Sequence, residues 1–302
     1  MRILIVGAGG TGGSYGTLLH EAGRDVTFLV RAKRAEAIRA NGLTFRTPAG
    51  ERTNTVQTLV SGESTDPFDL VLFTVKATGL ESAIEDIRPY IGAQTTIIPI
   101  LNGMAHVARL EKEFPGQVLG GLVKIVATLD NGVVWQMTDL ISITLGTLDG
   151  SEFPAAIAEF FDVPGISLVV SDNVAAAMWE KWAFIASAGV ITCLFRGPVG
   201  AIVEAGGREW IEEAIAETEA VAAAAGYPVP EKAHRFSVGM LAEPGSSFTS
   251  SLYRDLTAGF PHEGEHILGE MAVQARKFGV ETPLLDLTLI QVRTGEIARE
   301  RY

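Results

Sequence analysis

Lys181 stands inside a stretch, residues 175–186, whose other side chains are apolar nearly all round apart from Glu180. A helix of that composition is buried. Burial disfavours an ammonium ion, so a lysine there moves towards the range in which it can hand over a proton near neutrality. The plainer account is a lysine whose methylenes cover apolar surface while its head pairs with Glu180 or another acid. Lys76 closes the run Leu72-Phe73-Thr74-Val75, and Asn102 closes Ile97-Ile98-Pro99-Ile100-Leu101. Ligands of open sheets lie at the carboxyl ends of strands, so both could reach a cofactor; otherwise they are a snorkelling surface lysine and a turn or cap asparagine. A further cluster, Ser250-Ser251-Leu252-Tyr253-Arg254-Asp255 followed by His262-Glu263-Gly264-Glu265, carries hydroxyls and carboxylates but reads alone as a capped helix. His262 and His266 lack a metal-binding motif around them, and no metal site is expected.

The other chemistry written in the residue types is phosphate binding. Ile3-Leu4-Ile5-Val6 runs into Gly7-Ala8-Gly9-Gly10-Thr11-Gly12, a strand meeting a glycine turn. A helix over residues 14–22 and a strand over 25–30 follow in the order a dinucleotide fingerprint requires. Gly7 permits the tight bend, Gly9 lets backbone approach a pyrophosphate, and Gly12 lets the helix pack close to the strand. The helix N-terminus then faces the phosphates with unpaired N–H groups. The second strand ends at Val30-Arg31, where an NAD site carries Asp or Glu for the ribose. Arginine there, with Lys33 and Arg34 beyond, favours the 2′-phosphate of NADP(H), the alternative being a solvated basic helix start.

These residues need elements to hold them. Strands over residues 70–75 and 96–101 with a helix over 80–90 continue the alternation, which means an α/β fold, a Rossmann-type doubly wound parallel sheet. Runs at 118–127 and 141–145 enclose Asp130-Asn131-Gly132, a hairpin signal, so the sheet is expected to end in antiparallel strands. From Asp172 onward Ala, Glu and Leu recur at helical spacing, with segments at 174–187, 208–225, 262–278 and 284–300. Gly226-Tyr227-Pro228 and Gly279-Val280-Glu281-Thr282-Pro283 act as helix stops. The expected organisation is an NADP-binding sheet domain over residues 1–170 and an all-helical substrate domain over 171–302.

Composition agrees with a folded enzyme-sized chain: 302 residues, 47% hydrophobic and 20% charged. The net charge of −12 argues against nucleic-acid or anionic-membrane partners, which need clustered Lys and Arg. Cys193 is the sole cysteine, so no intrachain disulfide or cysteine-based zinc site can form, and an inert buried thiol is expected. No leader-like segment precedes the first strand, and no apolar run reaches the ~18 uninterrupted residues of a membrane span. A cytoplasmic location is expected.

Taken together, these residues resemble the ketopantoate reductase family, which reduces 2-dehydropantoate to pantoate with NADPH. The resemblance runs through the chain in order: the glycine turn, Arg31, Val75-Lys76-Ala77, Asn102-Gly103-Met104, Trp179-Glu180-Lys181, Ser250-Ser251-Leu252 with Asp255, and Glu263-Gly264-Glu265 in place of the family's Thr-Glu-Ile-Asp. It implies that Lys181 donates the proton and that Asn102 touches nicotinamide and substrate. Lys76, Ala127 and Glu263 then belong to the cofactor side, Ser251 meets the substrate, and a homodimer is common. The chain departs from the pattern where the family carries asparagines four and eight residues after the lysine and a Pro-Asn-Gly further on. Ile185, Gly189 and Val199 stand there. Ile185 and Gly189 share a helix face with Lys181, so a substrate wall more apolar, and roomier at Gly189, is expected. Losing amides weakens selection for a hydroxylated substrate. The expected function is NADPH-dependent reduction of a 2-oxo acid to the 2-hydroxy acid, with Lys181 and Asn102 catalytic. The alternatives are ketopantoate reductase proper, with Ser187, Thr192 or Ser251 replacing the amides, and a non-catalytic NADPH-binding sensor.

Overall fold

The computed structural model describes residues 1–301, which divide into two units: Met1–Leu101 with His106–Val174, and Asn102–Ala105 with the chain from Ala175 onward. The first unit is built from β1 (Arg2–Val6), α1 (Gly10–Glu21), β2 (Asp25–Leu29), α2 (Ala32–Asn41), β3 (Leu43–Thr47), β4 (Gly50–Asn54), β5 (Gln57–Leu59), β6 (Phe68–Phe73), α3 (Leu80–Ile87), β7 (Ile91–Pro99), α4 (Ala105–Glu113), β8 (Gly120–Asp130), β9 (Val133–Gly146), α5 (Ala155–Phe161) and β10 (Ser167–Val170).

Its main sheet is wholly parallel in the order β5-β2-β1-β6-β7, the doubly wound arrangement expected. The unbroken apolar run of β1 is what a strand covered on both faces requires. Ile3 and Ile5 join Phe28, Leu72, Tyr15 and Leu19 in one core layer, while Leu4 and Val6 join Val71, Phe73, Ile84 and Leu110 in the other. The chain moves outward from β1 to β2 and β5, then returns to β6 on the other side of β1. The glycine turn therefore sits where the winding direction reverses, the usual place for a ligand.

The antiparallel pair does not end this sheet, as the sequence led one to expect. It belongs to a second sheet of order β10-β9-β3-β4, with β8 paired to β9. The fourteen-residue β9 pairs with β3, β8 and β10 and so draws the hairpin away from β7. One isolated bridge, Ile97 to Val118, is what remains of the expected continuation. Sequence reading missed β3 and β4 because β4 is solvent-facing along most of its length and shows no apolar alternation. The Asp130-Asn131-Gly132 signal itself is real, since Asn131 and Gly132 both take positive φ (46° and 87°). The Tyr15 hydroxyl donates to the Ser142 carbonyl (2.6 Å), fastening α1 to β9.

The second unit is helical: α6 (Val174–Phe195), α7 (Val199–Glu204), α8 (Arg208–Ala224), α9 (Glu231–Leu241), α10 (Ser251–Thr257), a π-helical turn Glu265–Gly269 running into α11 (Glu270–Phe278), and α12 (Pro283–Arg301). By length and composition α6 could cross a membrane, but most of it is buried inside this unit. Trp182, Ala186, Val190 and Ile191 pack with Ile211, Ile215, Leu268, Met271, Leu285 and Leu289, which explains a helix apolar all round. Cys193 lies in the same core, its thiol pushed up to about 12 by burial. Gly279 ends α11 in the left-handed conformation (φ 68°), as the stop signal predicts.

Candidate active site

Two groups of predicted residues are described, one in each unit. In the sheet unit, Gly7 makes the bend with φ 100°, and its N–H donates to Leu29 on β2 (3.0 Å). A side chain at Gly12 would collide with the Gly7 carbonyl and the Thr74 hydroxyl, so this glycine does let α1 approach the strand ends. At Gly10 a Cβ would lie 2.7 Å from the Ala127 carbonyl carbon and the Thr128 nitrogen. Ala127 is thus brought onto the turn through its backbone, just after a register shift in β8 that re-aims the strand. Around Gly9 a Cβ would meet nothing within 4 Å, which leaves that side open to a ligand. No side chain caps α1 and no acid stands in its first turn. An open, uncapped N-terminus of this kind fits a dinucleotide pyrophosphate, with Ala8 and Thr11 completing the loop.

Thr74 was not singled out from the sequence. Its hydroxyl donates towards the carbonyls of Val6 (2.8 Å) and Gly7 (3.1 Å), tying the end of β6 to the turn in the space Gly12 vacates. A hydroxyl near the carboxyl end of the predicted strand 70–75, beside a glycine turn, was the available signal. Lys76 is exposed, two residues further on, before a short 3₁₀ turn. Arg31 is exposed at the start of α2, and Arg34 is half-buried behind it, with burial holding its guanidinium below the ordinary arginine range.

In the helical unit, Asn102 and Glu263 meet although 161 residues separate them: the Asn102 amide donates to the Glu263 carboxylate at 3.4 Å. Gly103 (φ 82°) brings the chain against His266, and Met104 packs on the helical core, so this tetrapeptide keeps company with the helices rather than with the strand it follows. Glu265 turns elsewhere. It forms a two-pronged ion pair with Arg293 on α12 (2.6 and 2.7 Å), which holds its carboxyl below the usual range. Lys181 is half-buried on α6. Its neighbour Trp182 donates its indole N–H to the Ile267 carbonyl (2.9 Å), fixing α6 against the π-helical turn that follows Glu263. Turns of that type recur at functional sites.

The expectation of extra room at Gly189 is corrected. Gly189 is buried, and a Cβ there would lie 3.2 Å from Leu268 and 3.4 Å from Leu252. Val199 is fully buried in the core. Of the three positions that depart from the family, Ile185 alone keeps some exposure, so the face beginning at Lys181 closes within two turns. The suggested hydroxyl substitutes are also engaged inside the bundle. Ser187 bonds the Ala183 carbonyl and Thr218, and Thr192 bonds the Ala188 carbonyl and Ser250. Ser250 further accepts from the Tyr253 N–H as the cap of α10, which leaves Ser251 exposed at the first helical position.

The sequence matches the ketopantoate reductase PanE/ApbA family over residues 3–150 and that family's C-terminal part over residues 173–296. The chain belongs to the ketopantoate reductase family. Membership of the ketopantoate reductases makes it an oxidoreductase of the kind that acts on ketone and alcohol groups. The uncharacterized oxidoreductase YkpB of Bacillus subtilis is 34% identical to it over 301 residues, 98% of this chain and 99% of the relative. Among solved structures, a PanE/ApbA family ketopantoate reductase from Ralstonia eutropha JMP134 superposes with a TM-score of 0.90 at 24% identity, covering 100% of both chains. D-mandelate dehydrogenase, solved with NADH and anilino(oxo)acetate, gives 0.88 at 23% identity over 99% of each. These two share the ketopantoate reductase fold with the present chain.

Proposed function

We propose that this protein reduces a 2-oxo acid to the corresponding 2-hydroxy acid with NADPH. The observation that carries the reading is the Asn102 to Glu263 contact, which joins two residues assigned to one site from distant parts of the sequence. Both activities named among the neighbours, ketopantoate reduction and mandelate dehydrogenation, interconvert 2-oxo and 2-hydroxy acids. Arg31, in the place of an acid, supports NADPH over the NADH of the mandelate enzyme. When bound, the cofactor supplies a hydride to the carbonyl carbon.

The chain's own residues do the rest. Lys181 stabilises the negative charge that develops on the carbonyl oxygen and donates the proton that completes the alcohol. Asn102, held by Glu263, presents a fixed amide to ring and substrate. Gly7 to Gly12 offer backbone N–H groups and the end of α1 to the pyrophosphate, with Lys76 and the Ala127 backbone at the rim. Ile185 faces the substrate side chain beside Lys181, and Ser251 offers it a hydroxyl. The test is NADPH consumption against a panel of 2-oxo acids that includes ketopantoate, with wild type and Lys181→Ala. Lys181→Ala should lose about 10²–10⁴ in turnover while binding NADPH as before. Unchanged turnover removes Lys181 from the chemistry, and consumption with no member of the panel leaves a nucleotide-binding sensor as the better account.

A further inference from the structure

Glu263 accepts from the Asn102 amide at 3.4 Å, and the groups that fix Glu263 in place lie on either side of it in the chain. Its own carbonyl accepts the Ile267 N–H (2.8 Å). The N–H that follows, at Gly264, donates to the His262 Nδ1 (3.3 Å), so the imidazole that precedes Glu263 also fastens the residue after it. That ring is buried, with 5% of the side chain exposed. Glycine at 264 makes room for it, since a Cβ there would lie 3.1 Å from Nδ1 and 3.2 Å from Val292.

An imidazole whose Nδ1 accepts a hydrogen bond carries its proton on Nε2. The His262 Nε2 lies 3.0 Å from the Glu296 Oε1 on α12, a close polar contact set off the line of an ideal hydrogen bond. Two more residues of α12 reach the same segment: Val292 crowds Gly264, and Arg293 holds Glu265 by both oxygens (2.6 and 2.7 Å). Residues 292, 293 and 296 share one side of that helix by their spacing. They engage residues 264, 265 and 262, which bracket Glu263.

We propose that His262, tied to Glu296, is a positioning residue for the proposed reduction: it fixes the backbone on both sides of Glu263 and, through Glu263, the direction of the Asn102 amide. The proposal rests on the role given to Asn102 above and adds what holds that amide still. Misplacement by about 1 Å can cost ~10²-fold in rate, which gives a tie outside the chemistry leverage on turnover.

The test uses the full-length protein and two readouts. The first needs no cofactor: the Asn102 side-chain amide signals in heteronuclear NMR, identified by their loss in Asn102→Ala. His262→Asn keeps an acceptor for the Gly264 N–H but is too short to reach Glu296, and Glu296→Ala removes the partner. Each should move the signals towards those of a free amide. Glu296 is partly exposed, so its loss should leave the fold intact, and Glu296→Gln, which keeps an acceptor, should restore most of the wild-type position. The second readout is turnover with the 2-oxo acid of the panel that is reduced fastest. His262→Asn and Glu296→Ala should each lower kcat about ten- to hundredfold with NADPH affinity unchanged. Combined, they should cost little more than either alone, because one tie is cut twice. In an Asn102→Ala background neither should lower kcat further, since the group they aim is gone. Unmoved amide signals overturn the proposal, as do unchanged turnover or full additivity with Asn102→Ala, which would make His262 and Glu296 a stabilising pair only. A wild type that reduces no member of the panel removes the reductase reading, and the amide signals then decide by themselves whether the tie aims Asn102.

Discussion

Ile185 and Gly189 look interchangeable in the sequence, since both stand where the family carries an asparagine, yet their surroundings predict opposite outcomes. Ile185 is half-buried, so Ile185→Asn should fold with little loss and raise turnover for 2-oxo acids bearing a hydroxyl relative to those without one. Gly189→Asn must push against Leu268 and Leu252, and should destabilise the protein by about 1–3 kcal/mol in denaturant unfolding without any gain in selectivity. A Gly189→Asn variant as stable as wild type would contradict the packing described. The placing of Lys181 on an apolar helix and of Asn102 just beyond a strand could be read from sequence because both signals are local. Gly189 could not, because its neighbours arrive from α10 and the π-helical turn, more than sixty residues further along. Thr74 was passed over for a similar reason. Its importance lies in the carbonyls of Val6 and Gly7, not in anything beside it.

Among the elements, α12 shows a dependence that no pattern announces. Its first free N–H groups, at Leu284 and Leu285, donate to the buried Glu217 carboxylate on α8 (2.8 and 3.0 Å). The helix is capped from across the bundle. Glu217→Ala leaves both groups buried without an acceptor and should lower stability by about 1–3 kcal/mol. Burial holds the Glu217 carboxyl above the ordinary range, ahead of the opposing effect of its two backbone bonds. The folded-state pKa therefore exceeds the unfolded one. Its contribution to stability is full below about pH 4.3 and is lost as pH rises through the raised value. Glu217→Gln should flatten that part of a stability profile taken from pH 4 to 8, and an unchanged profile would refute the assignment. The long helices α6, α8, α11 and α12 were legible from apolar spacing and glycine stops, whereas α7 and α9 were not. The second sheet was not, because β4 exposes its side chains and β9 finds partners on three other strands.

For the whole molecule, a net charge of −12 works against the approach of the polyanionic dinucleotide that the proposed function calls for. On that proposal, attraction comes from the short basic stretch at Arg31, Lys33 and Arg34, not from the overall field. With a pI near 4.9, light scattering should show self-association rising as pH falls towards 5 and receding on either side. A scattering minimum at that pH would count against the charge balance. The presence of two units was legible in the change of composition after Asp172. The membership of Asn102–Ala105 was not, since it depends on contacts to Glu263, His266 and the helical core. That tetrapeptide makes the helical unit discontinuous along the chain. A chimera that joined this N-terminal half to the C-terminal half of a relative would pair an amide from one parent with a carboxylate from the other. Breeding new substrate preferences by half-exchange therefore succeeds only if the four residues travel with the helices.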